Sequence, residues 1–360
     1  MLTDEFLNWP IYSFLKEEKR TRLEELLHSL TIHHNMSCDL YKNLLIARDI
    51  KIENKFSLEN VPFFPVRLFK LFHIQSINSK DVFKVLTSSG TTGQVPSKIF
   101  LDKETSNFQT HALVKIVQEF LGKNRLPMLI IDHPNVIKDR NNFSARGAGI
   151  LGLSNFGREH VYALKEDMSL NIDEVNDFCE RHKNTNTFVF GFTFIIWQNF
   201  LLELERLNLR LNLQNSIFLH SGGWKKLQDI AVDNLTFKER LNKVCGVKKI
   251  HNFYGMVEQV GSIFVECNQG YLHTPAFADI LIRDPLDWSI KPNGEMGVVQ
   301  VLSCIPKSYP GHSLLTEDLG TIHGEDNCEC GRLGKYFEIH GRIPRAELRG
   351  CSDTQVSPTK

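Results

Sequence analysis

Neither sign of charge dominates this sequence: 42 lysines and arginines balance 42 aspartates and glutamates. No basic run stands out either, so an electrostatic footprint for nucleic acid is not expected. Uninterrupted apolar runs of membrane-spanning length are also missing. The stretch MLTDEFLNWPIYSF carries acids where a secretory leader would carry a basic region and an apolar core. Residues 184–202 are the least charged segment, but Asn, Thr and Gln break it. It is expected to be a buried strand followed by the start of a helix rather than a membrane span. The chain has no internal repeat and no low-complexity tract. Eight cysteines in 360 residues without secretion signals do not describe a disulfide scaffold. They point to free thiols or metal ligands in a cytoplasmic protein.

What remains is a globular composition. With 42% hydrophobic residues the chain can bury a large core, in one big domain or two. Residues 1–60 carry helical periodicity, as in RTRLEELLHSLTIHHN. Residues 61–270 then alternate short apolar runs, glycine turns and helix-like stretches: DVFKVLTSSG, LPMLIIDHP, NTFVFGF, NSIFLHSGG, KKIHNFYG. That alternation predicts an α/β fold with a mostly parallel sheet covered by helices, whose ligands bind beyond the carboxyl ends of the strands. Residues 271–342 change texture and predict an antiparallel β subdomain. Residues 343–360, small and polar, predict a mobile arm that carries Cys351.

The stretch VLTSSGTTGQVPSKIFLD concentrates hydroxyls and glycines between two apolar segments. Backbone can approach a ligand closely at Gly90 and Gly93. Ser88, Ser89, Thr91 and Thr92 can donate to phosphate oxygens, and Lys98 can add charge. The stretch does not fit the Walker template. An ordinary serine-glycine turn has the same composition.

This loop resembles the phosphate-binding loop of adenylate-forming enzymes, and four further stretches follow in that superfamily's order. SGGW is similar to the glycine pair, Gly222 and Gly223, that lies along adenine. HNFYGMVEQ resembles a Tyr-Gly-x-x-Glu motif, which implies that Tyr254 and Gly255 flank the base and that Glu258 holds Mg2+. LLTEDLG resembles a Thr-Gly-Asp motif, which implies that Asp318 binds the ribose hydroxyls; Glu317 stands where glycine is usual. IHGRIPRAELRG resembles a Gly-Arg hinge, which implies that Arg342 approaches the nucleotide. The implied fold is the amino-terminal domain of that superfamily, and the implied cofactors are ATP and Mg2+. Attack of a carboxylate on the α-phosphate gathers negative charge, so this chemistry needs a metal and donors.

Only 18 residues follow Arg342, so the superfamily's carboxyl-terminal lid is expected to be absent. Such a truncated arrangement, with a cysteine near the end, resembles the LuxE family of acyl-protein synthetases. The resemblance implies that a fatty acid is adenylated, moved to Cys351 and handed to an NADPH-dependent acyl reductase partner. Arg345 and Arg349 would favour the thiolate of Cys351. Two other readings stay open here. The acyl group could pass directly to coenzyme A, a carrier protein or a sugar amine, or the chain could be a nucleotide-binding subunit that only organises a complex.

Two secondary sites complete the reading. Cys267 and His273, with Cys328 and Cys330 in NCECG, make the ligand set of a structural zinc site. Related phenylacetate-CoA-ligase-like enzymes carry a similar set. Free buried thiols and a turn histidine are the other reading. The aromatic run FVFGFTFIIW offers Phe192, Phe194 and Trp197 as acyl-pocket residues, and ordinary core packing would use them equally well. His220 and His251 are expected near strand ends, touching the carboxylate or satisfying a backbone group. The polar segment DHPNVIKDRNNFSARGAG is expected to be a loop over the acyl group, its arginines and lysine mainly solvated.

Overall fold

The structure, a computed structural model, describes residues 4–88, 95–137, 145–224 and 230–343. The chain divides into two compact units. One comprises Met1–Phe108, Ala276–Cys328 and Arg332–Lys360, and the other Gln109–Pro275 and Glu329–Gly331.

The first unit begins with helix Lys16–Ser37, which buries Leu23, Leu27, Leu30 and His34 along one stripe. Strand β1 (Phe64–Pro65) follows. Strands β2 (Lys84–Thr87) and β3 (Lys98–Leu101) then form an antiparallel pair with Thr87 opposite Lys98. Asp102 caps the next helix, Lys103–Leu121, by accepting from Thr105 N at 2.7 Å.

The second unit is built on β4 (Leu126–Ile131), β5 (Gly157–Tyr162), β6 (Thr187–Phe192), β7 (Ser216–Ser221) and β8 (Lys249–Tyr254). These five strands are parallel in the order β8-β7-β6-β4-β5. Every residue of β7 and five of the six in β6 are buried, as expected of a parallel sheet with both faces covered. The core on one face gathers Phe178, Phe200, Phe218 and Phe237. Helix Asn234–Cys245 contributes Phe237; Asp233 caps its start and Gly246, at φ +70°, ends it. Residues Ile196–Leu201 form a π-helical stretch after β6. Strands β9 (Phe264–Glu266) and β10 (Leu272–His273) extend the sheet antiparallel from β8.

Returning to the first unit, β11 (Ala278–Arg283), β12 (Met296–Ser303), β13 (Ser313–Glu325) and β14 (Lys335–Arg342) pair antiparallel in sequence order. Strand β1 lies parallel to β13. A bulge falls between Leu319 and Gly320, where a Cβ would lie 2.7 Å from the Glu338 carbonyl. Beneath this sheet two fully buried histidines stack, His34 on His312, with ring centroids 4.9 Å apart. Thr31 Oγ1 lies 3.0 Å from His312 Nε2, and Ser76 Oγ 2.8 Å from His34 Nδ1.

Candidate active site

In the first unit the hydroxyl-rich loop is closed at its base. Ser97 N donates to Ser88 Oγ at 2.8 Å, and Ser88 N to Ser97 O at 3.1 Å. Accepting that bond leaves the Ser88 hydroxyl its hydrogen for a ligand. Lys98 is exposed as the first residue of β3. The loop's Ser89, Gly90, Thr91, Thr92 and Gly93 lie outside the described residues, and so does Cys351. Asp318 and Arg342 stand opposite each other in the β13–β14 register, with Arg342 Nε 3.9 Å from Asp318 Oδ1. Asp318 N donates to Thr316 Oγ1 at 3.1 Å, within the strand backbone that carries the carboxylate.

In the second unit the candidate residues cluster at the carboxyl ends of β6, β7 and β8. Gly222 follows β7 at φ +86°, a conformation in which glycine is unstrained. A Cβ there would lie 3.2 Å from Phe192 Cδ1, while one on Gly223 would meet nothing within 4 Å. Both glycines are exposed. Tyr254, the last residue of β8, stacks on Phe264 at 6.2 Å. Gly255 follows; a Cβ on it would lie 3.0 Å from Ile263 Cγ2. Glu258 lies in the turn Val257–Gln259 and is only 6% exposed. A carboxylate so placed is not a solvated loop acid, and its hard oxygens suit Mg2+.

The remaining candidates divide. His220 is 2% exposed, and its Nδ1 donates to Thr193 Oγ1 at 3.0 Å, whose own hydrogen goes to Ser221 O at 3.2 Å. Burial pushes His220 down to about 3, so the ring is neutral and its unprotonated Nε2 has no hydrogen-bonding partner among the described residues. His251 sits inside β8, pairs through Nδ1 with Glu266 O at 2.8 Å and packs on Phe120 at 5.0 Å. Trp197, 3% exposed in the π-helical stretch, packs against Trp224, Phe237 and the Arg240 guanidinium. Phe192 and Phe194 are partly buried against the same core.

Sequence reasoning missed a constellation at the end of β4. Asp132 is fully buried, and Arg146 Nε lies 3.1 Å from its Oδ2. Arg146 Nη2 lies 3.1 Å from His133 Nε2, and His133 N donates to Asp132 Oδ1 at 2.8 Å. Burial raises the Asp132 carboxyl above its ordinary range, and Arg146 opposes that rise. The signal was the Asp-His pair directly after LPMLII; the arginine alone carried none.

Within the second unit the zinc candidates Cys267, His273 and Cys330 come together. The ligand atoms of Cys267, His273 and Cys330 lie within 4.8 Å of one another. Cys330 Sγ is 3.3 Å from His273 Nε2, near the separation of about 3.5 Å that tetrahedral zinc imposes on one sulfur and one nitrogen. Burial raises the Cys267 thiol above its ordinary range, the first cost that a bound cation would remove. Cys328 is buried two positions before Cys330 in the chain. Among the described residues no helix is long and apolar enough to cross a membrane.

Comparisons with known proteins agree with this architecture. A 2-hydroxyisobutyryl-CoA ligase, solved in an open conformation with 2-HIB-AMP and CoA, superimposes with a TM-score of 0.72. That match has 16% identity and covers 92% of this chain and 77% of the other. The long-chain-fatty-acid–luciferin-component ligase of Aliivibrio fischeri is 21% identical, covering 96% of this chain and 91% of its own. The protein of the same description from Vibrio harveyi is 22% identical over 96% of this chain and 90% of its own. The sequence profile described as "Acyl-protein synthetase, LuxE" matches residues 6–357, nearly the whole chain. The α/β architecture expected of an adenylate-forming enzyme is thus present, and the chain is an acid–thiol ligase that belongs to the LuxE family of acyl-protein synthetases.

Proposed function

We propose that this chain activates a fatty acid as its acyl-adenylate, collects the acyl group on Cys351 and delivers it to an acyl reductase. The observation that carries the proposal is the family match across residues 6–357, a span that includes every one of the motif residues and Cys351. In the first step a carboxylate oxygen attacks the α-phosphorus of ATP, the bond to the β-phosphate oxygen breaks, and pyrophosphate leaves. In the second, the Cys351 thiolate attacks the acyl carbon and AMP leaves with the carboxylate-derived oxygen.

The residues divide these tasks. Asp318 accepts from the ribose hydroxyls, and Gly222, Gly223 and Tyr254 receive the adenine ring. Ser88 and the loop that follows it, with Lys98 and Arg342, receive the phosphates. Glu258 would hold Mg2+, which when bound supplies charge for the developing pyrophosphate. Phe192 and Phe194 border the acyl group. Cys267, His273 and Cys330, with Cys328 as the fourth ligand, would hold zinc; four protein ligands leave no open position, so that metal is structural.

Incubation with radiolabelled fatty acid and ATP tests the proposal. Label should appear on the protein, be released by hydroxylamine and be lost in Cys351→Ser while acyl-adenylate still forms. Label that instead accumulates as acyl-CoA, with Cys351→Ser unaffected, would support transfer without a protein thioester.

A further inference from the structure

Adenylation begins with two anions approaching each other, so the acid's carboxylate needs a fixed cation at the reacting end of its pocket. In the second unit one arginine, Arg146, stands against the end of β4. Strand register places Ile131 beside Gly191, Gly191 beside His220, and Phe192 beside Ser221. Asp132, the residue after β4, therefore falls in line with Phe192 and with the segment that follows Ser221. The Phe192 ring ties the region together: a Cβ on Gly222 would lie 3.2 Å from its Cδ1, and a Cβ on Gly149 3.1 Å from its Cζ. Arg146 is three residues before Gly149 in helix Ala145–Ser154, on the same helical face.

The guanidinium is only partly used. Nε pairs with fully buried Asp132, and Nη2 donates to His133 Nε2. No described residue engages Nη1, and the side chain keeps 28% of its surface. Because arginine can only donate, His133 accepts through Nε2 and carries its hydrogen on Nδ1, a buried atom with no partner among the described residues. A guanidinium held by one ion pair and one hydrogen bond, with Nη1 engaged by no described residue, can receive a planar anion. Guanidinium and carboxylate match in a two-bond fork.

We propose that Arg146 binds the carboxylate of the acid substrate and aims it for attack, with Asp132 as the positioning residue that fixes the guanidinium. The inference rests on the adenylating reaction proposed above. It adds the residue that recognises the acid's head group and so discriminates fatty acids from uncharged lipids of equal length.

The test compares wild type, Arg146→Lys and Arg146→Ala in acyl-hydroxamate formation, varying acid and ATP separately. Loss of a charged two-bond contact should raise KM for the acid roughly ten- to a hundredfold in Arg146→Ala and leave KM for ATP unchanged. Added guanidinium should restore part of the activity of Arg146→Ala. Calorimetric binding of a fatty acid and of the matching alkanol, without ATP, gives a second readout. Wild type should prefer the acid, and Arg146→Ala should bind both alike. An unchanged KM for the acid with an unchanged preference over the alkanol would overturn the inference, as would parallel loss of acid and ATP affinity without guanidinium rescue. Should wild type form no acyl-adenylate with any acid, the adenylation reading fails, and the acid–alkanol comparison still decides whether Arg146 binds a carboxylate.

Discussion

Asp318 and Arg342 face each other across the β13–β14 ladder, with Arg342 Nε 3.9 Å from Asp318 Oδ1. Arg342 is half exposed, so the pair is worth no more than about 1 kcal/mol to folding. Asp318→Ala should therefore shift Tm by no more than a few degrees while raising KM for ATP at least tenfold. A nucleotide titration of pyrophosphate release checks this. Unchanged ATP dependence would remove Asp318 from the nucleotide site.

Glu258 makes a sharper case, because it is a carboxylate at 6% exposure in the turn after β8. Glu258→Gln keeps its shape and removes the charge that would hold a hard cation. Acyl-adenylate formation should fall by roughly 10²–10³-fold, the usual cost of losing transition-state charge stabilisation. Raising the Mg2+ concentration should recover part of it. Full activity at ordinary Mg2+ would contradict the metal role.

The thiol and imidazole atoms of Cys330 and His273, 3.3 Å apart, predict a bound metal that stabilises rather than reacts. Purified protein should carry one zinc per chain by elemental analysis. Cys330→Ser should lose most of it and several degrees of Tm, with acyl-adenylate formation per folded molecule retained. A zinc-free protein of unaltered Tm would leave the cluster as plain thiols.

Stability should fall in acid for a stated reason. Burial pushes His312 down to about 3 and also lowers its stacking partner His34. In the unfolded chain a histidine titrates near 6.5, so between those values the unfolded state binds more protons and acid favours it. The stabilisation is complete above about pH 6.5 and is lost as pH falls towards 3, on the order of 5 kcal/mol for His312 over the whole window. Urea unfolding at pH 7 and pH 5 should show a smaller difference for His312→Gln than for wild type. An identical difference would mean that the stack does not exclude protons.

The sequence made some of this legible and hid the rest for physical reasons. Alternating apolar runs and glycine turns disclosed β6, β7 and β8 because each strand signal is local. The interleaving of the two units was hidden: β1 pairs with β13 across most of the chain, a contact no local pattern encodes. His251 was expected near a strand end, but it lies within β8, where Glu266 O takes its Nδ1 hydrogen bond. Trp197 read as a pocket residue or as core, and the π-helical stretch packs it among Trp224, Phe237 and Arg240. Arg146 looked like one more loop cation, and only the burial of Asp132 beside it makes its position meaningful.

The most direct test of the account is fatty-acid-dependent exchange of labelled pyrophosphate into ATP, measured with a series of straight-chain acids. The account predicts exchange that requires both acid and Mg2+, survives Cys351→Ser, and fails in Glu258→Gln. Absence of acid-dependent exchange in the wild-type protein with every acid of the series would contradict it.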